Sequence, residues 1–75
     1  MVEHPRIEIN PDVMVGKPVI KGTRITVKLI LRMTAAGRTA EELVEMYPHI
    51  SPDDVHAAIA FAADYLRQGH TQAAE

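Results

Sequence analysis

The chain has 75 residues, no cysteine, 47% apolar residues and a formal net charge of −2. We expect one domain over residues 1–75, because domains usually take about 100–200 residues. The missing thiols exclude disulfides and thiolate metal sites, and the apolar content disfavours a disordered chain. No apolar run approaches the roughly 18 residues of a membrane span, and no signal peptide opens the chain. A cytoplasmic protein is therefore expected.

The charges divide unequally between the two halves of the chain. Residues 1–38 carry seven of the eight basic residues and a balance of +4, whereas residues 39–75 have a balance of −6. Such polarity predicts one basic and one acidic surface. The competing interpretation is a set of solvated charges that only keeps the protein in solution.

Residues 7–25 predict a small β element with turns. Residues 7–10 alternate apolar and polar side chains, which is the period of a half-buried strand. Gly22 lies between two β-branched runs and predicts a tight hairpin, in which the Thr23 hydroxyl satisfies a turn amide. An element of this size has too few residues to be stable alone.

Residues 26–68 predict a three-helix core. Apolar residues recur at helical spacing over residues 27–36, and Gly37 is a good terminator for this first helix. Thr39 and Glu42 have the spacing of a capping box that begins the second helix. Pro48 stops that helix, because the residue before a proline avoids the helical region.

The third helix begins after Ser51 as N-cap, with Pro52 at the first helical position. We expect Gly69 to end it and residues 69–75 to form a loose tail. Two apolar stripes follow its surface, one of which packs inside the monomer while the β element or another chain covers the other. They are Val55, Ala58, Ile59, Ala62 and Leu66 on one side, and Ala57, Phe61 and Tyr65 on the other.

The order of these elements predicts a mainly α protein with a helix-turn-helix plan. In such a DNA reader the third helix lies in the major groove, but here its first turn carries Asp53 and Asp54, which phosphates repel. DNA contact is therefore expected from the hairpin and the first helix. The candidate residues are Lys17, Lys21, Arg24, Lys28 and Arg32. The competing interpretation is an exposed face that pairs with the acidic half of a sister chain.

The apolar surface exceeds what a chain of this size can hide, which predicts a homodimer or larger homo-oligomer. Two-fold pairing with the N-terminal strands at the interface would cover their edges. The expected interface residues are Ile7, Ile9, Ala57, Phe61 and Tyr65.

No constellation of residues supports catalysis. The four histidines lack the spacing of a zinc site, and no Ser-His-Asp set has geometric support. We therefore expect no enzymatic activity, no metal and no cofactor.

A resemblance to a known family is carried by residues 16–27, GKPVIKGTRITV, and by residues 37–42 and 47–55. Together they resemble the pattern of a bacterial and archaeal family of short proteins, domain-of-unknown-function family 433, over residues 7–67. The resemblance implies a homeodomain-like three-helix core preceded by short strands. Members are commonly regarded as VapB-type antitoxins and are often paired with a small PIN-like nuclease toxin.

By this resemblance, the chain would bind and neutralise a PIN-like nuclease toxin and regulate its own operon through DNA binding. The tail after the third helix is short, so the folded domain would hold the toxin. We expect the acidic half to cover a basic nuclease surface through Glu41, Glu42 and Asp54. The alternative function is a protein–protein interaction module with helix-turn-helix topology and no DNA contact.

Overall fold

A computed structural model of the chain describes residues 4–70. In this part the protein is small and mainly helical, with three α-helices and a short two-stranded antiparallel sheet. The elements are β1 (Ile7–Glu8), a 3-10 turn (Met14–Gly16), β2 (Val19–Ile20), α1 (Val27–Ala35), α2 (Ala40–Met46), α3 (Pro52–Tyr65) and a π-helical turn (Leu66–His70). No helix within residues 4–70 is long and apolar enough to cross a membrane.

The turn predicted at Gly22 is present. The Thr23 N–H donates to the Ile20 carbonyl at 2.9 Å, and Gly22 has a φ of +82°, which glycine adopts without steric cost. The Thr23 hydroxyl accepts the N–H of Ile25 at 3.0 Å, so the prediction that it satisfies a turn amide is confirmed.

The strand pairing differs from a simple hairpin. The partner of β2 is the distant β1, with Ile7 opposite Ile20 and Glu8 opposite Val19. The chain that returns from the turn at Gly22 meets β2 through one isolated bridge, between Val19 and Thr26. The reason is that Thr26 already caps α1 by accepting the Leu29 N–H at 3.0 Å, so the chain turns into a helix instead of extending a strand.

The two predicted helix starts after α1 are confirmed. In the capping box of α2, the Thr39 N–H donates to Glu42 at 2.9 Å and the Glu42 N–H donates to the Thr39 hydroxyl at 3.1 Å. The N-cap of α3 is Ser51, and it forms a second capping box with Asp54. Because each box satisfies two otherwise unpaired N–H groups, it fixes the residue at which its helix begins.

The two predicted helix ends have different outcomes. Gly37 follows α1 with a φ of +98°, and the Arg38 N–H donates to the Met33 carbonyl at 3.1 Å, which is the bond of a Schellman motif. Gly69 does not follow α3 directly, because the α-helix ends at Tyr65 and the π-helical turn contains Gly69. Of the predicted loose tail, residues 71–75 lie outside the described residues.

The core takes side chains from β2, from all three helices and from the link between α2 and α3. Its buried residues are Val19, Ile20, Val27, Ile30, Leu43, Ile50, Val55 and Ala58. Both predicted stripes of α3 are partly covered. Val55 and Ala58 of the first stripe are buried, but Ile59 and Leu66 of the same stripe are exposed, and Phe61 of the second stripe packs against the core.

Candidate interaction surface

The segment before β1 binds α3 at two places, and this explains why Phe61 is covered. A His4 ring nitrogen lies 2.9 Å from an Asp64 carboxylate oxygen, and the His4 ring meets Phe61 edge-on at 5.3 Å between centroids. Two residues later, Arg6 donates to Asp54 at 3.0 Å. The N-terminal segment therefore covers part of the α3 stripe that the sequence left for a β element or another chain.

The acidic residues predicted to bind a toxin differ in how strongly intramolecular contacts hold their carboxylates. Asp54 is the most constrained, because one of its oxygens accepts the Arg6 hydrogen bond and the other accepts the Ser51 N–H at 2.9 Å, and its side chain is 13% exposed. Glu42 is exposed but caps Thr39. Glu41 is exposed, and within residues 4–70 its carboxylate makes no hydrogen bond or ion pair. The free acidic charge of this set therefore lies at the start of α2.

The basic residues predicted to bind DNA are all exposed. In the part of the chain that the structure describes, none of the five side chains makes an ion pair or a hydrogen bond. Lys17 and Lys28 line one groove, and Arg24 lines another depression. Lys21 lies in the turn after β2, and Arg32 follows Lys28 by one turn of α1. The structure thus distributes these charges over two depressions and the surface beside them.

An open apolar groove of about 570 Å³ lies between α1 and α3. Leu31 lines it from α1, Phe61 and Tyr65 line it from α3, and Ile9 and Pro18 line it from the loop between β1 and β2. Lys17 and Lys28 also line the groove, and none of the described lining residues is acidic. Ile9, Tyr65 and Leu66, three of its large apolar residues, are exposed to solvent.

The predicted dimer interface falls only partly on this groove. Ile9, Phe61 and Tyr65 line it together, and the Phe61 and Tyr65 rings stack at 6.0 Å between centroids. Ile7 instead packs against the core, and Ala57 is half-buried away from the groove lining. Leu66 and Pro18, which the sequence did not single out as interface residues, complete the surface.

A second depression of about 500 Å³ brings distant parts of the sequence together. Glu8 from β1, Thr23 and Arg24 from the turn after β2, and His49 from the link between α2 and α3 line it. The sequence did not predict that these three segments meet, because no local pattern relates a hairpin turn to a link between helices. Among residues 4–70, no group of three or more His, Asp or Glu side chains could hold a metal ion.

The loop beside the apolar groove has an unusual backbone. Met14 and Val15 have φ angles of +50° and +57°, and a β-branched residue in this left-handed region is a steric outlier. The Val15 side chain is 90% exposed, and the next two residues, Gly16 and Lys17, line the groove. Such backbone strain costs about 1–3 kcal/mol per residue and concentrates at functional sites.

Comparison with known proteins gives a family and a fold. A family model described as "Protein of unknown function (DUF433)" matches residues 7–62. "Uncharacterized protein y4eO" from Sinorhizobium fredii (strain NBRC 101917 / NGR234) is 32% identical over 53 residues, which are 71% of this chain and 24% of that protein. The chain therefore spans about a quarter of the length of this relative.

A solved structure shares the fold of this chain. The crystal structure of a DUF433 member protein from Anabaena variabilis ATCC 29413 superposes with a TM-score of 0.76 at 30% identity. The match covers 84% of this chain and 62% of that one.

Proposed function

Since the chain belongs to the DUF433 family of proteins of unknown function, we propose that it is a binding module of the VapB antitoxin type. In this function it holds and neutralises a PIN-like nuclease toxin in the cytoplasm, and no reaction is assigned to the chain itself. The single observation that carries the proposal is the solvent-open apolar groove between α1 and α3. Contiguous exposed apolar patches mark interaction sites, because water contact with them is unfavourable.

The acidic contribution to toxin binding is assigned to α2. Glu41, Glu42 and Glu45 are exposed on this helix, whereas Asp54 is held by Arg6 and Ser51. A nuclease surface that binds nucleic acid is basic, so carboxylates on α2 favour its approach and block its substrate by charge. The apolar groove supplies the affinity, and the charges supply orientation and association rate.

The test is to identify the reading frame next to the gene of this chain and, where it encodes a PIN-like nuclease, to measure complex formation with that nuclease. We expect the wild-type protein to co-purify with the nuclease and to inhibit its cleavage of RNA. Leu66→Glu, in the groove, is expected to weaken the complex at least about ten-fold. Ile59→Glu is the matched control, since Ile59 is an exposed apolar residue of α3 that does not line the groove. If no complex forms with the wild-type protein, the antitoxin proposal is rejected.

A second candidate function, DNA binding for autoregulation, is favoured by the exposed cations of the basic half. This proposal includes a homeodomain-like arrangement of the helices, which is supported by the short link of residues 47–51 between α2 and α3. Asp53 and Asp54 still carry negative charge at the start of α3, so DNA contact is assigned to the turn after β2 and to α1. Of the five basic residues predicted to contact DNA, three do not line the apolar groove: Lys21, Arg24 and Arg32.

An operator fragment titrated at several salt concentrations tests this second candidate. We expect the affinity to fall steeply with salt, and each substitution of Lys21, Arg24 or Arg32 by alanine to reduce the slope of log K against log salt by about one. A protein that fails to shift the operator at low salt but still binds the nuclease is instead the interaction module without DNA contact.

The predicted homodimer is the competing proposal for the occupant of the groove. Ile9, Phe61 and Tyr65 lie together in the groove and could meet a second copy there. Light scattering at micromolar concentration gives a dimer mass if this occurs and a monomer mass if it does not. A second copy and a nuclease would contact the same three residues and would therefore compete for the groove.

A further inference from the structure

We infer that the groove between α1 and α3 receives an amphipathic α-helix of a partner protein, with an apolar stripe flanked by Asp or Glu side chains. The inference rests on the proposed function for the identity of the partner, and it adds the chemistry of the segment that the partner supplies. The observations that carry it are the shape of the groove, the charge of its lining and the lack of a suitable segment in residues 4–70 of a second copy of this chain.

The shape of the groove favours a helix over an extended strand. Side chains of α1 and α3 form two of its walls and the loop between β1 and β2 forms the third, while no residue of β1 or β2 lines it. A bound strand needs a sheet edge to satisfy its N–H and C=O groups, whereas a helix satisfies them internally. Val27, Lys28 and Leu31 line the groove from the beginning of α1, and a helix rises about 1.5 Å per residue, so this wall contacts roughly one to two turns of a bound helix.

The charge of the groove specifies the flanks of that helix. Lys17 and Lys28 are the charged residues among those that line it, and within residues 4–70 neither ammonium has an ion-pair partner. The nearest acidic residue on α3 along the sequence, Asp64, already contacts His4 and Arg67. A partner with carboxylates beside its apolar stripe therefore gains two ion pairs, whereas a partner with lysines there meets two like charges.

The described residues 4–70 of a second copy of this chain contain no such segment. Each of its helices turns its apolar stripe into its own core, as Leu43 of α2 and Val55 of α3 show. Outside the groove, Met46 and Ile59 are the large apolar residues exposed on α2 and α3, and the apolar neighbours of Ile59 that are also exposed, Ala60 and Ala63, have small side chains. The acidic helix α2 therefore presents carboxylates without a continuous stripe of large apolar residues, so residues 4–70 of a second copy do not supply the complementary helix.

The inference is tested with two synthetic helical peptides, each about 12 residues long so that it forms about three turns. Both carry leucines at i, i+3, i+4 and i+7 and a hydrocarbon staple on the opposite face, and they differ only in having Glu or Lys beside the leucines. Titration into ¹⁵N-labelled protein should shift the amide signals of Leu31, Ala62 and Tyr65 with the Glu peptide. We expect the Glu peptide to bind at least about ten-fold more tightly than the Lys peptide at low salt.

Charge reversal provides the matched variants. Lys17→Glu combined with Lys28→Glu should reverse the preference, so that the Lys peptide binds more tightly. Lys21→Glu combined with Arg32→Glu changes the net charge equally but lies outside the groove lining, and it should keep the wild-type preference. All four positions are exposed, so both variants are expected to fold, and their circular dichroism spectra check this.

Several outcomes would overturn the inference. With the peptides, these outcomes are equal affinities for both, amide shifts outside the groove, or no shifts with the Glu peptide. In the free protein, groove amide signals that shift on dilution would show that a second copy occupies the groove. These results are separable from the antitoxin proposal. If the Glu peptide binds but no nuclease complex forms, the assignment of an acidic helix to the groove is kept and the antitoxin function is rejected. If the nuclease complex still forms with the Lys17→Glu, Lys28→Glu variant, the antitoxin function is kept and the assignment of an acidic helix to the groove is rejected.

Discussion

Arg6 donates a hydrogen bond of 3.0 Å to Asp54, a residue 48 positions later in the chain. The same carboxylate accepts the Ser51 N–H with its other oxygen. One side chain thus joins the segment before β1 to the start of α3, and it closes the capping box of that helix. Asp54, which the sequence predicted to meet a partner, therefore has a role in holding the fold together.

Asp54→Ala should destabilise the protein by about 1–2 kcal/mol, because it removes the N3 carboxylate of a capping box and the partner of Arg6. Chemical denaturation with urea, read as a shift of the midpoint at constant slope, measures this loss. Asp53→Ala is the control, since its carboxylate is 77% exposed and lies 3.7 Å from Arg6. We expect the control to cost less than about 0.5 kcal/mol; equal losses in the two variants would contradict the role of Asp54.

Val15→Asn should stabilise the protein by about 1 kcal/mol, because asparagine tolerates the left-handed backbone at this position better than a β-branched residue. Thermal unfolding should show a higher midpoint for this variant. The control is Ile9→Asn, which also replaces an exposed apolar residue beside the groove but lies outside the residues with positive φ. A gain in both variants would mean that removing exposed apolar surface, rather than relieving strain, is responsible.

Gly22→Ala should destabilise the protein by about 1 kcal/mol or more, because alanine is strained at a φ of +82°. No heavy atom lies within 4 Å of the position that a Cβ would take, so the cost is one of backbone conformation and not of packing. Gly22→Asn should recover part of the loss, and thermal unfolding compares the three proteins. An alanine variant as stable as the wild type would show that the turn adopts another backbone conformation.

His4→Ala should destabilise the protein by about 1 kcal/mol, because it removes a contact with the Phe61 ring and the hydrogen bond to Asp64. It should also speed hydrogen exchange of the β1 amides, since the N-terminal segment loses one of its two attachments to α3. The matched control is His56→Ala on the exposed side of α3, which should leave both observables near the wild type. Unchanged exchange in the His4 variant would show that Arg6 alone holds the segment.

The start and end signals of the helices were predictable because they are local. Thr39 with Glu42, and Gly37 after α1, act within one turn of chain, so their residue types carry the information. The turn at Gly22 belongs to the same class. The groove was only partly predictable: its aromatic residues on α3 stood out, but the participation of Pro18 and the proximity of Lys17 to Lys28 required the fold.

The sequence by itself determined the local backbone of this protein, since caps, turns and apolar periods depend on neighbours only a few residues apart. The tertiary structure decided which strand pairs with β2, which stripe of α3 faces inward, and which charges remain unpaired. Helix α3 is apolar around much of its circumference, so its apolar pattern alone does not specify its rotation, which is seen in the packing of His4 against Phe61 and of Arg6 against Asp54. Contacts between residues 48 or more positions apart leave no periodic pattern in a sequence, because they depend on the packing of the whole chain.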